Sequence, residues 1–150
     1  MKRGRLIILL VEDSDHDVFF VRRATEQGGA GHEVYAVPEG GEAVRYLQGE
    51  GQYANRQEFP VPNIVLTDLK MPGMNGFEFL RWVRDHSEYG IIPVIVYSSS
   101  SVEEDVREAY SLGANSYMVK PSDLTAMIDL LRATWEFWSR CECPPMPGKR

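Results

Sequence analysis

Polar and charged side chains stand directly after short apolar runs in this chain. Glu12 and Asp13 follow the first run, and Asp68 follows another. Ser98 and Lys120 follow two further runs. If these runs are parallel strands of one sheet, their carboxyl ends meet at one edge, and the five side chains would surround one small pocket. Taken singly, each residue could be a turn residue, a helix cap or a solvated surface group, so only their coincidence indicates a site.

The residue types in this pocket suit phosphoryl chemistry. Glu12, Asp13 and Asp68 would repel one another unless a cation lay between them. Mg²⁺ suits such a set because it takes oxygen ligands and keeps some of its waters. Lys120 and Ser98 can donate hydrogen bonds to a phosphoryl group, and an aspartate can accept that group covalently. The residues therefore predict a Mg²⁺-assisted site at which a phosphoryl group becomes attached to one aspartate.

The elements that must position these residues alternate along the chain of 150 residues. Five apolar runs alternate with five helical patterns, which predicts one open parallel sheet covered by helices on both faces. A capping box over residues 101–104 marks the start of the fourth helix. We expect one domain over residues 1–140 and a disordered tail over 141–150. The predicted strands are 6–11, 32–37, 64–67, 91–97 and 115–119, and the predicted helices are 15–27, 41–48, 76–86, 101–113 and 122–140.

The composition excludes several classes of function. The net charge is −6, whereas nucleic-acid-binding proteins and proteins that bind anionic membranes usually carry a basic surplus. The longest apolar run is far shorter than the roughly 20 residues of a membrane-spanning helix. Two cysteines close together near the C-terminus do not make a disulfide framework, which fits a reducing compartment. We therefore expect a cytoplasmic protein that binds neither nucleic acid nor membrane.

Four short segments together carry a family resemblance. They are Val-Glu-Asp at 11–13, Leu-Thr-Asp-Leu-Lys-Met-Pro-Gly-Met-Asn-Gly at 66–76, Val-Tyr-Ser at 96–98 and Val-Lys-Pro at 119–121. Over about residues 5–140 the chain resembles the receiver domain of bacterial two-component response regulators. The resemblance implies an α/β, flavodoxin-like (βα)5 fold, an open parallel sheet with the strand order 2-1-3-4-5.

The resemblance also implies roles for the acidic residues. Asp68 would be the phosphoacceptor. Glu12 and Asp13 would hold Mg²⁺, with Asp68 and the backbone carbonyl of Lys70 completing the protein ligands. Lys70 stands at a position that influences the rate of hydrolysis of the phosphoryl-aspartate in this family. The sequence leaves open whether a lysine there raises or lowers that rate.

Further roles follow from the same resemblance. Ser98 would be the switch hydroxyl that follows the phosphoryl group, and Lys120 would pair with the charge of that group. Tyr117 occupies the position of the family's aromatic switch residue, which changes rotamer as Ser98 moves. Pro121 would follow a cis peptide bond.

The last helix carries more apolar residues than one core-facing stripe requires. Leu130, Trp135, Phe137 and Trp138 are the candidate residues for a surface left exposed on a monomer. An exposed apolar patch of this kind usually marks a partner site, and we expect a two-fold homodimer through this helix, the fourth helix and the fifth strand. The alternative is that the long connection 49–62 or the tail folds over the patch.

The sequence thus predicts a single-domain response regulator without an output domain. It would take a phosphoryl group from a cognate sensor histidine kinase and then either switch its contacts with a downstream protein or relay the group, without turning over an external substrate. The long connection and the extension at Phe137 and Trp138 resemble the small regulators that serve bacterial phytochrome kinases.

Three other interpretations fit the sequence less well. A phosphatase that uses an aspartate nucleophile would need a second acid where Lys70 stands. A flavin carrier would need a phosphate-binding loop where residues 12–15 are mostly acidic. A degenerate scaffold receiver would lack some of the five site groups.

Overall fold

The computed structural model describes residues 4–86 and 88–145. Five parallel strands form one sheet in the order β2-β1-β3-β4-β5, which confirms the predicted fold. The strands are β1 (Ile7–Val11), β2 (Glu33–Val37), β3 (Ile64–Thr67), β4 (Val94–Ser98) and β5 (Ser116–Val119). The helices are α1 (Asp15–Gln27), α2 (Gly40–Gln48), α3 (Gly76–Asp85), α4 (Glu103–Ser111) and α5 (Leu124–Ser139), with a short 3-10 turn at Gly51–Tyr53.

The sheet separates two hydrophobic cores because alternate side chains of each strand point to opposite faces. On one face, strand residues such as Val65 and Val96 pack with α2 and α3. On the other face, Leu10 and Leu66 pack with α1 and α5. β1, β3 and β4 are buried on both sides, which explains why their sequences are apolar almost without interruption.

The long connection 49–62 belongs to the first core and does not cover α5. The rings of Tyr46 and Tyr53 lie 5.1 Å apart, and Phe59 lies 5.3 Å from Tyr53. Arg56 fixes the connection to the end of α2 because its guanidinium donates to the carbonyls of Tyr46 and Leu47 at 2.9 and 2.8 Å. The expectation that this connection could fold over the last helix is therefore wrong. Residues 146–150 of the predicted disordered tail lie outside the described residues.

Two local predictions are wrong. The capping box over 101–104 does not form, since α4 begins at Glu103 and its N-cap residue, Val102, has no side-chain acceptor. The Ser100 hydroxyl accepts from the amide of Val102 itself at 3.2 Å, just before the helix. The bond before Pro121 is trans, and the described chain contains no cis peptide; trans is the ordinary form of such bonds.

The prediction of Trp135 as an interface residue is also wrong. Its side chain is only 3% exposed, and its indole nitrogen donates to the Thr25 hydroxyl on α1 at 3.1 Å. Trp135 therefore belongs to the core that joins α5 to α1. Leu130 and Trp138 are half-buried against the same core, while Phe137 is 60% exposed.

No helix within the described parts of the chain has the length and apolar character needed to cross a membrane.

Arg84 joins three segments at the amino-terminal edge of the sheet. Its guanidinium donates to the carbonyl of Gly113 at 2.7 and 2.9 Å, to the carbonyl of Gly90 at 2.9 Å and to the carbonyl of Ile92 at 2.7 Å. It also donates to the Asn115 side-chain oxygen at 2.9 Å. These bonds hold the segments before β4 and β5 against α3.

We expect Arg84→Met to lower the free energy of unfolding by about 3 kcal/mol, because several part-buried carbonyls lose a charged donor at once. Urea unfolding followed by circular dichroism would measure the loss. Arg81→Met, at an exposed position on the same helix, is the matched control and should change stability by less than about 0.5 kcal/mol. Equal losses in the two variants would contradict the role of Arg84.

Candidate functional site

The structure brings three carboxylates together at the carboxyl edge of the sheet. Glu12 and Asp13 follow β1, and Asp68 follows β3, whose end pairs in register with the end of β1. One carboxylate oxygen from each of the three residues lies within 4.8 Å of the others. The Glu12 amide donates to Val37 O at 2.9 Å, and the Asp68 amide donates to Val11 O at 3.0 Å. The sheet hydrogen bonds therefore continue up to the site and fix its backbone.

Gly76 allows α3 to approach the backbone that carries Asp68. A Cβ atom at Gly76 would collide with the Asp68 carbonyl and would lie 2.8 Å from the Leu69 Cα. The Gly76 amide also donates to Leu69 O at 2.9 Å. A larger residue at Gly76 would thus displace the segment that positions the Asp68 carboxylate.

Lys120 places a positive charge among the carboxylates. Its ammonium lies 2.8 Å from Glu12 Oε1 and 3.1 Å from Asp68 Oδ2. Asp17 on α1 is a third partner, and its Oδ2 lies 2.8 Å from the Lys120 ammonium. Burial acts to lower the pKa of Lys120, but the hydrogen bonds with Asp17 and Glu12 and the charges of Glu12 and Asp68 together outweigh it and raise that pKa, so the ammonium stays charged.

The surroundings of the Glu12 carboxyl favour its protonated form. Burial is the largest cause and raises the pKa of Glu12 from 4.5 to about 7. The hydrogen bond from Lys120 acts in the opposite direction, and the charge of Asp68 adds to the rise. A cation between these carboxylates would take the place of the proton that burial of Glu12, and to a lesser extent the charge of Asp68, favours.

The donor set fits a hard divalent cation. All three side chains offer carboxylate oxygens, which are the ligands that Mg²⁺ and Mn²⁺ take in proteins. Glu12 is buried and Asp13 is exposed, so the cluster opens to solvent on one side. The Lys70 ammonium extends away from this cluster to within 3.9 Å of Asp105 Oδ2 on α4.

We expect the affinity for Mn²⁺ to rise with pH up to about 7, by at most about tenfold per pH unit, and to level off above pH 8. The reason is that the metal must displace a proton from Glu12 at low pH and meets an ionised carboxylate at high pH. Calorimetric titrations from pH 6 to 8 in two buffers would measure the affinity and the proton release. Glu12→Gln should weaken binding and remove this pH dependence, whereas a wild-type affinity that is flat over this range would contradict the prediction.

Ser98 and Tyr117 form a second group beside the carboxylates. Ser98 is buried at the end of β4, and its hydroxyl accepts from the Ser100 amide at 3.1 Å. The Tyr117 hydroxyl donates to the Ser100 carbonyl at 2.8 Å. The Ser100 hydroxyl donates to Asp105 Oδ2 at 2.6 Å. Ser100 thus links Ser98, Tyr117 and the start of α4 in one hydrogen-bonded array.

Sequence reasoning missed Asp17, Ser100 and Asp105. Asp17 had a usable signal, since it lies in the first turn of a helix that begins shortly after the acidic pair Glu12 and Asp13. Ser100 and Asp105 had no signal beyond their polar types, because their roles depend on the path of the segment between β4 and α4.

The fold and the site together define a receiver domain of two-component signalling. The family model described as the response regulator receiver domain matches residues 8–132, and the chain belongs to this family. The chain is similar to the response regulator Rcp1 of Synechocystis sp., with 33% identity over 132 residues, 88% of this chain and 88% of that protein.

Solved structures of such regulators superpose closely on this chain. The phosphorylated cyanobacterial phytochrome response regulator RcpA is 33% identical and covers 94% of this chain and 99% of its own, with a TM-score of 0.87. The Mn²⁺-bound form of Rcp1 is 31% identical and covers 93% of this chain and 99% of its own, with a TM-score of 0.84. The chain is therefore a response regulator similar to phytochrome response regulators.

Proposed function

We propose that this response regulator accepts a phosphoryl group on Asp68 from a sensor histidine kinase. One observation carries the proposal: the Asp68 carboxylate lies within 4.8 Å of two further carboxylates while the Lys120 ammonium lies 3.1 Å from its Oδ2. Asp68 thus has both a set of cation ligands and a positive charge that can pair with phosphoryl oxygens. The receiver domain would extend over residues 1–140, with 141–150 as a tail.

The transfer is a displacement at phosphorus. An oxygen of Asp68 forms a bond to the phosphorus of a phosphohistidine, the N–P bond breaks, and the imidazole nitrogen keeps the electron pair and takes up a proton. Lys120 donates to the oxygens of the transferred group. Glu12, Asp13, Asp68 and the Lys70 carbonyl would hold Mg²⁺, which when bound supplies positive charge to the same oxygens. Asp68 is itself modified, so the protein acts as a switch rather than as an enzyme on an external substrate.

The second group would transmit the state of Asp68. Ser98 continues the alternation of Val94 and Val96, which lie on one face of the sheet, whereas Asp68 continues the alternation of Ile64 and Leu66 on the other. For its hydroxyl to reach a phosphoryl group, Ser98 must leave the Ser100 amide. That movement would disturb the Ser100 bonds with Tyr117 and Asp105, and so the surface near α4.

Asp68→Asn should abolish phosphorylation because the amide cannot act as the nucleophile. Incubation with Mg²⁺ and acetyl phosphate, followed by intact-mass measurement, should show a gain of one phosphoryl group in wild type and none in the variant. Asp129→Asn, at an exposed position on α5, is the control and should behave like wild type. A gain in Asp68→Asn would show that another residue is the acceptor.

We further propose that the protein is cytoplasmic and that its kinase partner is of the phytochrome type. We also propose that it forms a homodimer through the last helix. The similarity to phytochrome response regulators over nearly the full chain supports the kinase partner.

Two exposed side chains support the homodimer, since Phe137 is 60% exposed at the end of α5 and Tyr110 is 49% exposed on α4. Phe137 and Trp138 also line a shallow groove with Met118 of β5, an edge strand of the sheet.

Phe137→Gln should shift the protein from dimer to monomer, with a dissociation constant raised at least about tenfold, since a large apolar side chain at an interface contributes more than 1.4 kcal/mol. Sedimentation velocity across micromolar concentrations, with and without a phosphoryl mimic, would measure this. Phe19→Gln removes a comparably exposed ring from α1 and should leave the dimer intact. A wild-type protein that stays monomeric in both states would contradict the dimer.

A further inference from the structure

Asp17 forms a close contact in the site to which the receiver resemblance gives no role. It lies in the first turn of α1, and its Oδ2 is 2.8 Å from the Lys120 ammonium. The same ammonium is 2.8 Å from Glu12 Oε1 and 3.1 Å from Asp68 Oδ2. A lysine ammonium has three N–H donors, so these three carboxylates use all of them.

The N–H that Lys120 now donates to Asp68 Oδ2 can pass to a phosphoryl group on Asp68, but a second donor to the further phosphoryl oxygens must leave Glu12 or Asp17. The Glu12 side chain is 2% exposed, so its separation from Lys120 would leave a buried carboxylate without that donor. The Asp17 side chain is 26% exposed, so water can replace the lost bond. Its place at the amino end of α1 also favours a negative charge. Of Glu12 and Asp17, Asp17 is therefore the partner whose release from Lys120 costs less.

Resting on the phosphoacceptor role proposed above for Asp68, we propose that Asp17 is a positioning residue that holds the Lys120 ammonium until a phosphoryl group arrives and then releases it. The Asp17–Lys120 bond stabilises the unmodified state and opposes phosphorylation. Asp17→Asn keeps the shape of the side chain but removes its charge, so Lys120 becomes easier to recruit.

The direct test is the affinity for beryllium trifluoride in the presence of Mg²⁺, since this phosphoryl mimic binds without breaking a covalent bond. Asp17→Asn should bind it about tenfold more tightly than wild type, corresponding to about 1.4 kcal/mol. Asp15→Asn is the matched control, because it removes the same charge from an exposed position two residues away in the same helical turn. The control should change the affinity by less than about twofold, which is the size expected of a screened surface charge.

A second measurement separates action through Lys120 from a general charge effect. The initial rate of phosphorylation by acetyl phosphate, in which Asp68 gains an O–P bond and acetate leaves with the electron pair, should rise in Asp17→Asn. In a Lys120→Gln background the same substitution should give no such rise, because the interaction it removes is already absent. A purely structural role would lower the urea midpoint of Asp17→Asn without this dependence on Lys120. If Asp17→Asn folds poorly, Asp17→Ser serves as the second variant.

The outcomes distinguish this inference from the function on which it rests. Equal affinities in Asp17→Asn and Asp15→Asn, or weaker binding in Asp17→Asn than in wild type, would overturn the role of Asp17 alone. Failure of wild type to bind the mimic or to accept a phosphoryl group would instead overturn the phosphoacceptor role of Asp68. Tighter binding by Asp17→Asn that depends on Lys120 would establish the release of Lys120 as a step in the switch.

Discussion

Concentrated negative charge at the carboxyl edge of the sheet is the constraint on which the rest of the structure depends. Glu12, Asp13 and Asp68 converge there because parallel strands end together, and each of the three increases the electrostatic cost of the others. Lys120 offsets part of this cost from the end of β5, and burial leaves Glu12 ready to bind a proton. The fold therefore places three carboxylates and one compensating ammonium at a single point.

The charged residues that meet in the site come from distant parts of the chain. The Lys120 ammonium meets carboxylates from β1, α1 and β3 at one point. The sheet order places β1 and β3 at its centre, and β5 reaches the site across the end of β4. Lys120 thus connects Asp68 with Asp17 on α1, while Ser100 separately joins Tyr117 to Asp105 on α4.

Much of the fold and most of the site could be predicted from the sequence, for identifiable physical reasons. Central strands buried on both faces are apolar without interruption, and polar residues mark where they end, so residues such as Asp68 and Lys120 stand out. Contacts that depend on how helices pack leave no comparable pattern. Helix periodicity showed that α5 carries more apolar residues than one core-facing stripe requires, yet it did not show that Trp135 would meet Thr25 on α1 while Phe137 would stay exposed. The pairing of Asp17 with Lys120 depends on where α1 lies relative to the end of β5, and the only sequence signal for it was the place of Asp17 in the first turn of α1.

The division of the interior into two cores has a mechanical consequence. Trp135 ties α5 to α1 on one face of the sheet, whereas Ser98, Tyr117 and Ser100 lie towards the other face with α4. The sheet lies between these two groups, and its central strands are buried on both sides and paired with a strand on each side. Among the described residues, the packing of α5 on α1 therefore shares no side-chain contact with the Ser98–Ser100–Tyr117 array, so a rearrangement near α4 would not require this packing to change.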